Sequence, residues 1–179
     1  MLSKLVTVAL AMVLVSGCAT TGQTDARKRI TYKQDGNDVI VTVDNKILFD
    51  LSDASLRKDA NPVLDVLVSD SLSRTKKDLL IEGHTDIRGT EAYNDNLSRQ
   101  RAESVKTALV ARGILSSRVR TEGKGSRNPV IQNAKTEDEY EQNRRAVIRI
   151  KDERVENVRS SKLEEGFNSF VNSLGLKLQ

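Results

Sequence analysis

At 179 residues, with 37% hydrophobic and 30% charged side chains and no tryptophan, the chain has material for one domain with a modest core plus tails, not for two full domains. Its formal net charge of +4 and pI of about 9.2 are a small excess over 25 acidic residues, and both signs alternate along the chain. Tyr32, Tyr93 and Tyr140 lie too far apart to make a stacking platform, so nucleic acid is not an expected partner.

The first 17 residues read as a targeting segment and are excluded from fold reasoning. Lys4 supplies a positive charge, and Leu5 to Val15 is apolar apart from Thr7. That run is shorter than the roughly 20 apolar residues a membrane-spanning helix needs. Val15-Ser16-Gly17-Cys18 closes it and resembles a bacterial lipobox, in which the cysteine becomes the lipidated first residue of the mature protein. Several acyl chains on Cys18 would anchor firmly, since each buried CH₂ contributes about 0.8 kcal/mol. The plain alternative is an ordinary secretory signal with an incidental cysteine. Cys18 is the only cysteine, which excludes an internal disulfide even in an oxidising compartment. Ala19 follows it rather than aspartate, and by resemblance to the lipoprotein sorting rule this implies the outer membrane.

Residues 18–37 carry the lipidation cysteine and a polar stretch without apolar period, the expected flexible tether. It would span roughly 25 Å as a coil and about 60 Å extended.

The folded domain is expected over residues 38–151. Val39 to Val43 and Lys46 to Phe49 suggest two short strands about a turn at Asp44-Asn45. Asn61-Pro62 is a helix-start signal, followed by Val63, Leu64, Leu67, Val68 and Leu72 at helical spacing. Leu79-Leu80-Ile81 reads as a buried strand. A second helix is expected from a Thr90 cap to Gly113 at its C-terminal end. Strands follow at Arg118–Glu122 and Ala146–Ile150, separated by a long, acidic loop from Glu137 to Glu141. This order predicts an α+β fold: a mixed sheet with two main helices packed on one face. In residues 152–179, Leu163, Phe167, Phe170, Val171 and Leu174 fall on one face of an amphipathic helix, interrupted by Gly166. Such a tail either packs back on the domain or docks a partner.

The densest chemistry lies between Ile81 and Val105. Asp86 follows a predicted strand, and Arg101 sits fifteen positions on. At 100° per residue Asn94, Leu97, Ser98, Arg101, Val105, Ala108 and Leu109 share one helix face, so Arg101 falls inside the apolar stripe. A charge there needs a partner, because a buried unpaired charge is destabilising by several kcal/mol. The partner is either Asp86, as a structural ion pair, or a ligand between them. Arginine suits a carboxylate and aspartate an ammonium, so the ligand implied is a zwitterionic amino-acid head group, with the Asn94 amide nearby. His84, the only histidine, has no nitrogen or sulfur company for a metal site, and Ser98 and Ser126 are arbitrary as triad nucleophiles. It reads as a structural histidine. Gly123-Lys124-Gly125-Ser126 lacks the spacing of a phosphate-binding loop. No cofactor or metal is expected.

Gly83-His84-Thr85-Asp86, Gly89, Tyr93-Asn94, Leu97-Ser98, Arg101-Ala102, Val105, Gly123, Gly125-Ser126, Asn128-Pro129 and Asn143-Arg144-Arg145 together resemble the OmpA-like peptidoglycan-binding family, which includes the peptidoglycan-associated lipoproteins. The resemblance covers roughly residues 38 to 151 and implies a βαβαβ-β sandwich. It implies that Asp86 holds the ammonium, and Arg101 the carboxylate, of diaminopimelate in the peptidoglycan stem peptide. Asn94 and one arginine of the pair Arg144 and Arg145 complete the implied pocket, with alternation along a strand favouring only one of the two. Binding would be non-covalent, without chemistry on the wall. The expected function is therefore an outer-membrane lipoprotein, anchored at Cys18 with its domain facing the periplasm, that tethers the membrane to peptidoglycan. The alternatives are a protein-interaction module of an envelope complex that docks partners through the tail, and a cell-wall enzyme.

Overall fold

The computed structural model describes residues 26–159; the targeting segment, Cys18 and the amphipathic tail beyond 159 lie outside them. Strands β1 (Ile30–Asp35) and β2 (Asp38–Asp44) form a hairpin, and a short helical turn α1 (Asn45–Leu48) follows. Helix α2 (Ala60–Leu67) runs into a π turn over Val68–Leu72 and leads to β3 (Leu79–His84). The long helix α3 (Glu91–Ala111), β4 (Val119–Gly125), α4 (Glu137–Asn143), β5 (Arg145–Ile150) and a last turn α5 (Val155–Val158) complete the order. The sheet order is β1-β2-β5-β3-β4, antiparallel except for the parallel β3–β4 pair that α3 connects. This is the expected α+β arrangement with a mixed sheet.

Pairing register explains how the sheet receives the helices. Three rows of side chains cross its inner face: Val39, Ile150, Leu79 and Val119; Val41, Ile148 and Ile81; and Val43, Ala146, Gly83 and Gly123. The first two rows are branched and almost fully buried, and they pack with Val63, Leu64 and Leu67 of α2 and Val105 and Leu109 of α3 in one core. The third row tapers to alanine and glycine, and there α3 comes down onto the strands. A Cβ on Gly83 would stand 2.1 Å from the Ser98 carbonyl oxygen, and one on Gly123 would stand 2.7 Å from Ser98 Oγ and 2.8 Å from the Arg99 backbone nitrogen. Ser98 Oγ in turn donates to the Asp95 carbonyl (3.0 Å) and accepts from the Gly125 backbone N–H (3.0 Å), which ties helix to strand.

Helix α3 starts and stops where its residues dictate. Thr90 Oγ1 accepts from the Tyr93 N–H (3.2 Å), a side-chain cap, and Gly113 at φ +95° ends the helix in a conformation other side chains adopt only with strain. The stripe read from the sequence is the buried face: Asn94, Leu97, Ser98, Arg101, Ala102, Val105, Ala108 and Leu109.

Four expectations are corrected. Residues 30–35, placed in the tether, are strand β1, so the folded unit begins before residue 38. The alternation Ile30, Tyr32, Gln34 pairs with β2 across Gly36-Asn37, with Gly36 at φ +58°. The sequence signal was Gly36-Asn37, a two-residue hairpin loop with glycine first. Residues 46–49 are not the partner strand of a hairpin; the Asp44 carboxylate caps the Lys46 N–H (3.0 Å) and turns the chain into α1. Helix α2 begins at Ala60, with Asp59 rather than Asn61 at the cap position and Pro62 in the first turn. The acidic loop is helix α4, nucleated by a capping box in which Thr136 and Glu139 satisfy each other's backbone N–H groups.

The glycine contact predicts a large and specific sensitivity. Gly83→Ala should destabilise the domain by about 3 kcal/mol or more, because the nearest atom is helix backbone and cannot turn aside. Urea unfolding of the 26–159 domain measures it; a loss under about 1 kcal/mol would contradict this packing.

Candidate binding site

At the C-terminal end of β3 the chain leaves the sheet as the loop Thr85–Thr90 before re-entering as α3. A cleft of about 190 Å³ opens between this loop, α3, the segment around Leu51-Ser52 and the end of α4, and Asp86, Asn94, Arg101 and Arg144 all line it. All four are buried, with Arg101 only 2% and Asp86 6% exposed. Four of the five binding residues expected from the sequence thus converge. Arg145 does not: its guanidinium donates to the carbonyls of Asn143 (3.1 Å) and Asn128 (3.0 Å), and strand alternation turns it to the other face of the sheet, paired across with His84.

Asn94 braces the loop. Its Nδ2 donates to the carbonyls of Asp86 (3.3 Å) and Arg88 (3.0 Å), holding the loop over the helix that carries Arg101. Its amide hydrogens are therefore committed, which leaves its Oδ1 as the atom free to meet a ligand.

Asp86 and Arg101 do not form an ion pair with each other. Asp86 Oδ1 accepts the Arg88 backbone N–H (2.9 Å), and Oδ2 accepts from Arg88 Nη2 (2.8 Å) and Arg144 Nη1 (2.6 Å). Burial would raise its pKa, but these arginine contacts prevail and hold it below the usual carboxylate value. Arg101 stacks over the Phe49 ring at 5.1 Å and donates Nε to the Asp53 carbonyl (2.8 Å) and Nη2 to the Asp50 carbonyl (3.1 Å). It thereby holds a loop in which Ser52 adopts φ +58°. Its remaining nitrogen, Nη1, is buried and has no hydrogen-bond partner. Burial, reinforced by the neighbouring Arg144 charge, lowers the Arg101 pKa. The arginine nonetheless remains a cation, and its open Nη1 belongs to a side chain on the cleft wall. Thr85 Oγ1, on the same cleft, is likewise buried without a partner.

Residues that sequence reasoning passed over complete the wall. Arg88 bridges Asp86 to Glu137 of α4 (Nη1 to Oε2 2.9 Å) and lies 4.4 Å over the Tyr140 ring. Arg144 reaches Glu137 (2.6 Å) and Glu141 as well as Asp86. Tyr93 and Leu51 form an exposed apolar rim. Arg88 stands two residues from Asp86 in an already singled-out motif, so its spacing was the available signal. The glutamates lie in the acidic run already noted in the sequence, and the helix that presents them shows which two of its carboxylates reach the arginines.

His84 is 3% exposed, and both ring nitrogens lack hydrogen-bond partners, with Glu82 Oε2 at 4.0 Å. Desolvation first, then the charges of Arg145 and Lys124, lowers its pKa from 6.5 to about 3. Folded-state binding of a proton is thus disfavoured while the unfolded chain takes one, so stability declines as pH falls from about 6.5 toward 3. The His84 ring resonances should keep their neutral NMR positions from pH 8 to about 5; a midpoint near 6.5 would show the imidazole is hydrated and this packing wrong.

The OmpA family model matches residues 48–144, from the end of α1 through α4 to Arg144. Outer membrane protein A of Bordetella avium is 40% identical over 102 residues, covering 57% of this chain and 52% of that protein. The peptidoglycan-associated lipoprotein of Rhizobium meliloti is 38% identical over 112 residues, 62% of each. This chain therefore spans about half to two thirds of these curated relatives. Among solved structures, the cell wall anchor of the T6SS from Pseudomonas aeruginosa superposes with a TM-score of 0.64 at 30% identity, covering 74% of this chain and 95% of that one. The chain belongs to the OmpA family.

Proposed function

We propose that the domain binds peptidoglycan non-covalently, gripping the free amino-acid end of a diaminopimelate stem peptide. The observation that carries this reading is Arg101 Nη1, a buried cationic donor without an acceptor on the wall of a cleft that also holds Asp86. An open donor of this kind is satisfied by an anionic oxygen, and a carboxylate entering the cleft supplies one. Asp86 Oδ1 accepts only one hydrogen bond and retains capacity for an ammonium. A zwitterionic head group meets both needs at once. The names of the relatives, a peptidoglycan-associated lipoprotein and a cell wall anchor, support the same ligand. The apolar rim at Leu51 and Tyr93 suits the methylene chain behind such a head group.

Cys18 and the lipobox before it extend the proposal to the whole chain: a lipid anchor in the outer membrane, a short polar tether, and a domain that holds the wall. Because Ala26 is already buried in the core and Arg27 bonds Asp70, the tether lies before residue 26, shorter than composition alone implied. The site needs no catalytic step. Ser98 Oγ is committed to helix and strand, and His84 is buried apart from the cleft.

Arg101→Lys and Asp86→Asn keep side-chain size and test the two halves of the grip. Each should reduce cosedimentation of the purified domain with diaminopimelate-type sacculi by about tenfold or more, because a charge-assisted bond contributes roughly 1.5–3 kcal/mol. Circular dichroism and thermal melting establish that the folds persist. Undiminished sedimentation of both variants would remove the cleft from the account.

A further inference from the structure

The acidic segment of α4 has no place in the grip just described, yet it contacts two of its arginines. Arg88, Arg101 and Arg144 outnumber Asp86 by two positive charges on the cleft wall. Alone, that wall would favour any anion and would surround Asp86 with cations that compete against an incoming ammonium. Glu137 bonds both Arg88 (2.9 Å) and Arg144 (2.6 Å), and Glu141 bonds Arg144. Together the two glutamates cancel the excess. Neutral as a whole, the cleft then matches a head group that is itself neutral as a whole. Glu141 is mostly buried, so water screens its charge weakly, whereas Glu137 is largely exposed and acts mainly through its direct bonds.

We propose that Glu137 and Glu141 are specificity-determining residues: by neutralising Arg88 and Arg144 they make the cleft select a zwitterionic amino-acid end over a simple carboxylate. They position the arginines and touch no ligand themselves. The inference rests on the proposed ligand reading and deepens it. It accounts for why the capping box at Thr136 and Glu139 matters to the site, since that cap fixes the helix that presents Glu137 and Glu141 toward Arg144.

The test compares two probes that differ only in their amines: meso-diaminopimelate and pimelate, the same seven-carbon dicarboxylate without them. Calorimetry on the wild-type domain and on Glu137→Gln/Glu141→Gln gives the ratio of the two affinities, in which any change in the folded fraction cancels. The expected result is a fall in that ratio on the order of tenfold or more, with pimelate gaining outright. Asp138→Asn, on the same helix but outside the arginine contacts, should leave the ratio within about twofold. A ratio unchanged in the double variant, or one that falls equally in Asp138→Asn, overturns the proposal. Should the double variant fail to fold, Glu137→Gln alone carries the test, with a smaller fall expected and no fall contradicting it. Failure of the wild type to bind diaminopimelate at all would instead remove the ligand reading on which the proposal rests.

Discussion

The whole site hangs on the contact between Ser98 and the glycines of β3 and β4. Helix α3 approaches so closely that no side chain fits at Gly83 or Gly123, and Ser98 Oγ is bonded to strand and helix at once. That contact sets the height of α3 above the sheet. It therefore sets where Asn94, one turn before, and Arg101, one turn after, stand relative to the loop that leaves β3. A site placed by rigid elements holds its geometry far better than one placed by loops alone, and here both charged ends of the cleft are referred to the same helix–strand junction.

The burial of Arg101 follows from that position. A guanidinium in an apolar stripe would be costly, and the protein offsets the cost with the Phe49 ring and two backbone carbonyls. These leave the charge without a carboxylate in direct contact and one nitrogen unsatisfied. Asp86, meanwhile, is held ionised by Arg88 and Arg144. The two opposite charges are kept apart, each fixed by other groups, and a cleft remains between them. Had they paired directly, the cleft would have closed on itself.

Much of this was legible in the sequence because periodicity carries it. The burial of Arg101 followed from helical spacing alone, and Thr90 and Gly113 announced both ends of α3. What escaped depended on long-range pairing or on chemistry hidden by charge. Strand β1 has one buried apolar residue, Ile30, because it is an edge strand, so its pattern is weak. Helix α4 is nearly all polar and shows no apolar period, although its capping box was present in the letters. The choice between Arg144 and Arg145 needed the end of α4, which lets Arg144 turn into the cleft before β5 starts. That Asp86 and Arg101 do not pair could not be read from spacing at all, since it depends on Arg88 and on the carbonyls of a distant loop.

The central claim is that the open nitrogen of Arg101 awaits a ligand carboxylate. A crystal structure of the domain with a diaminopimelate-containing muropeptide tests it most directly. The account predicts a carboxylate oxygen about 2.7–3.0 Å from Arg101 Nη1, with the adjacent ammonium on Asp86. A muropeptide whose carboxylate sits on Arg88 or Arg144, with Arg101 Nη1 still unpartnered, would contradict it.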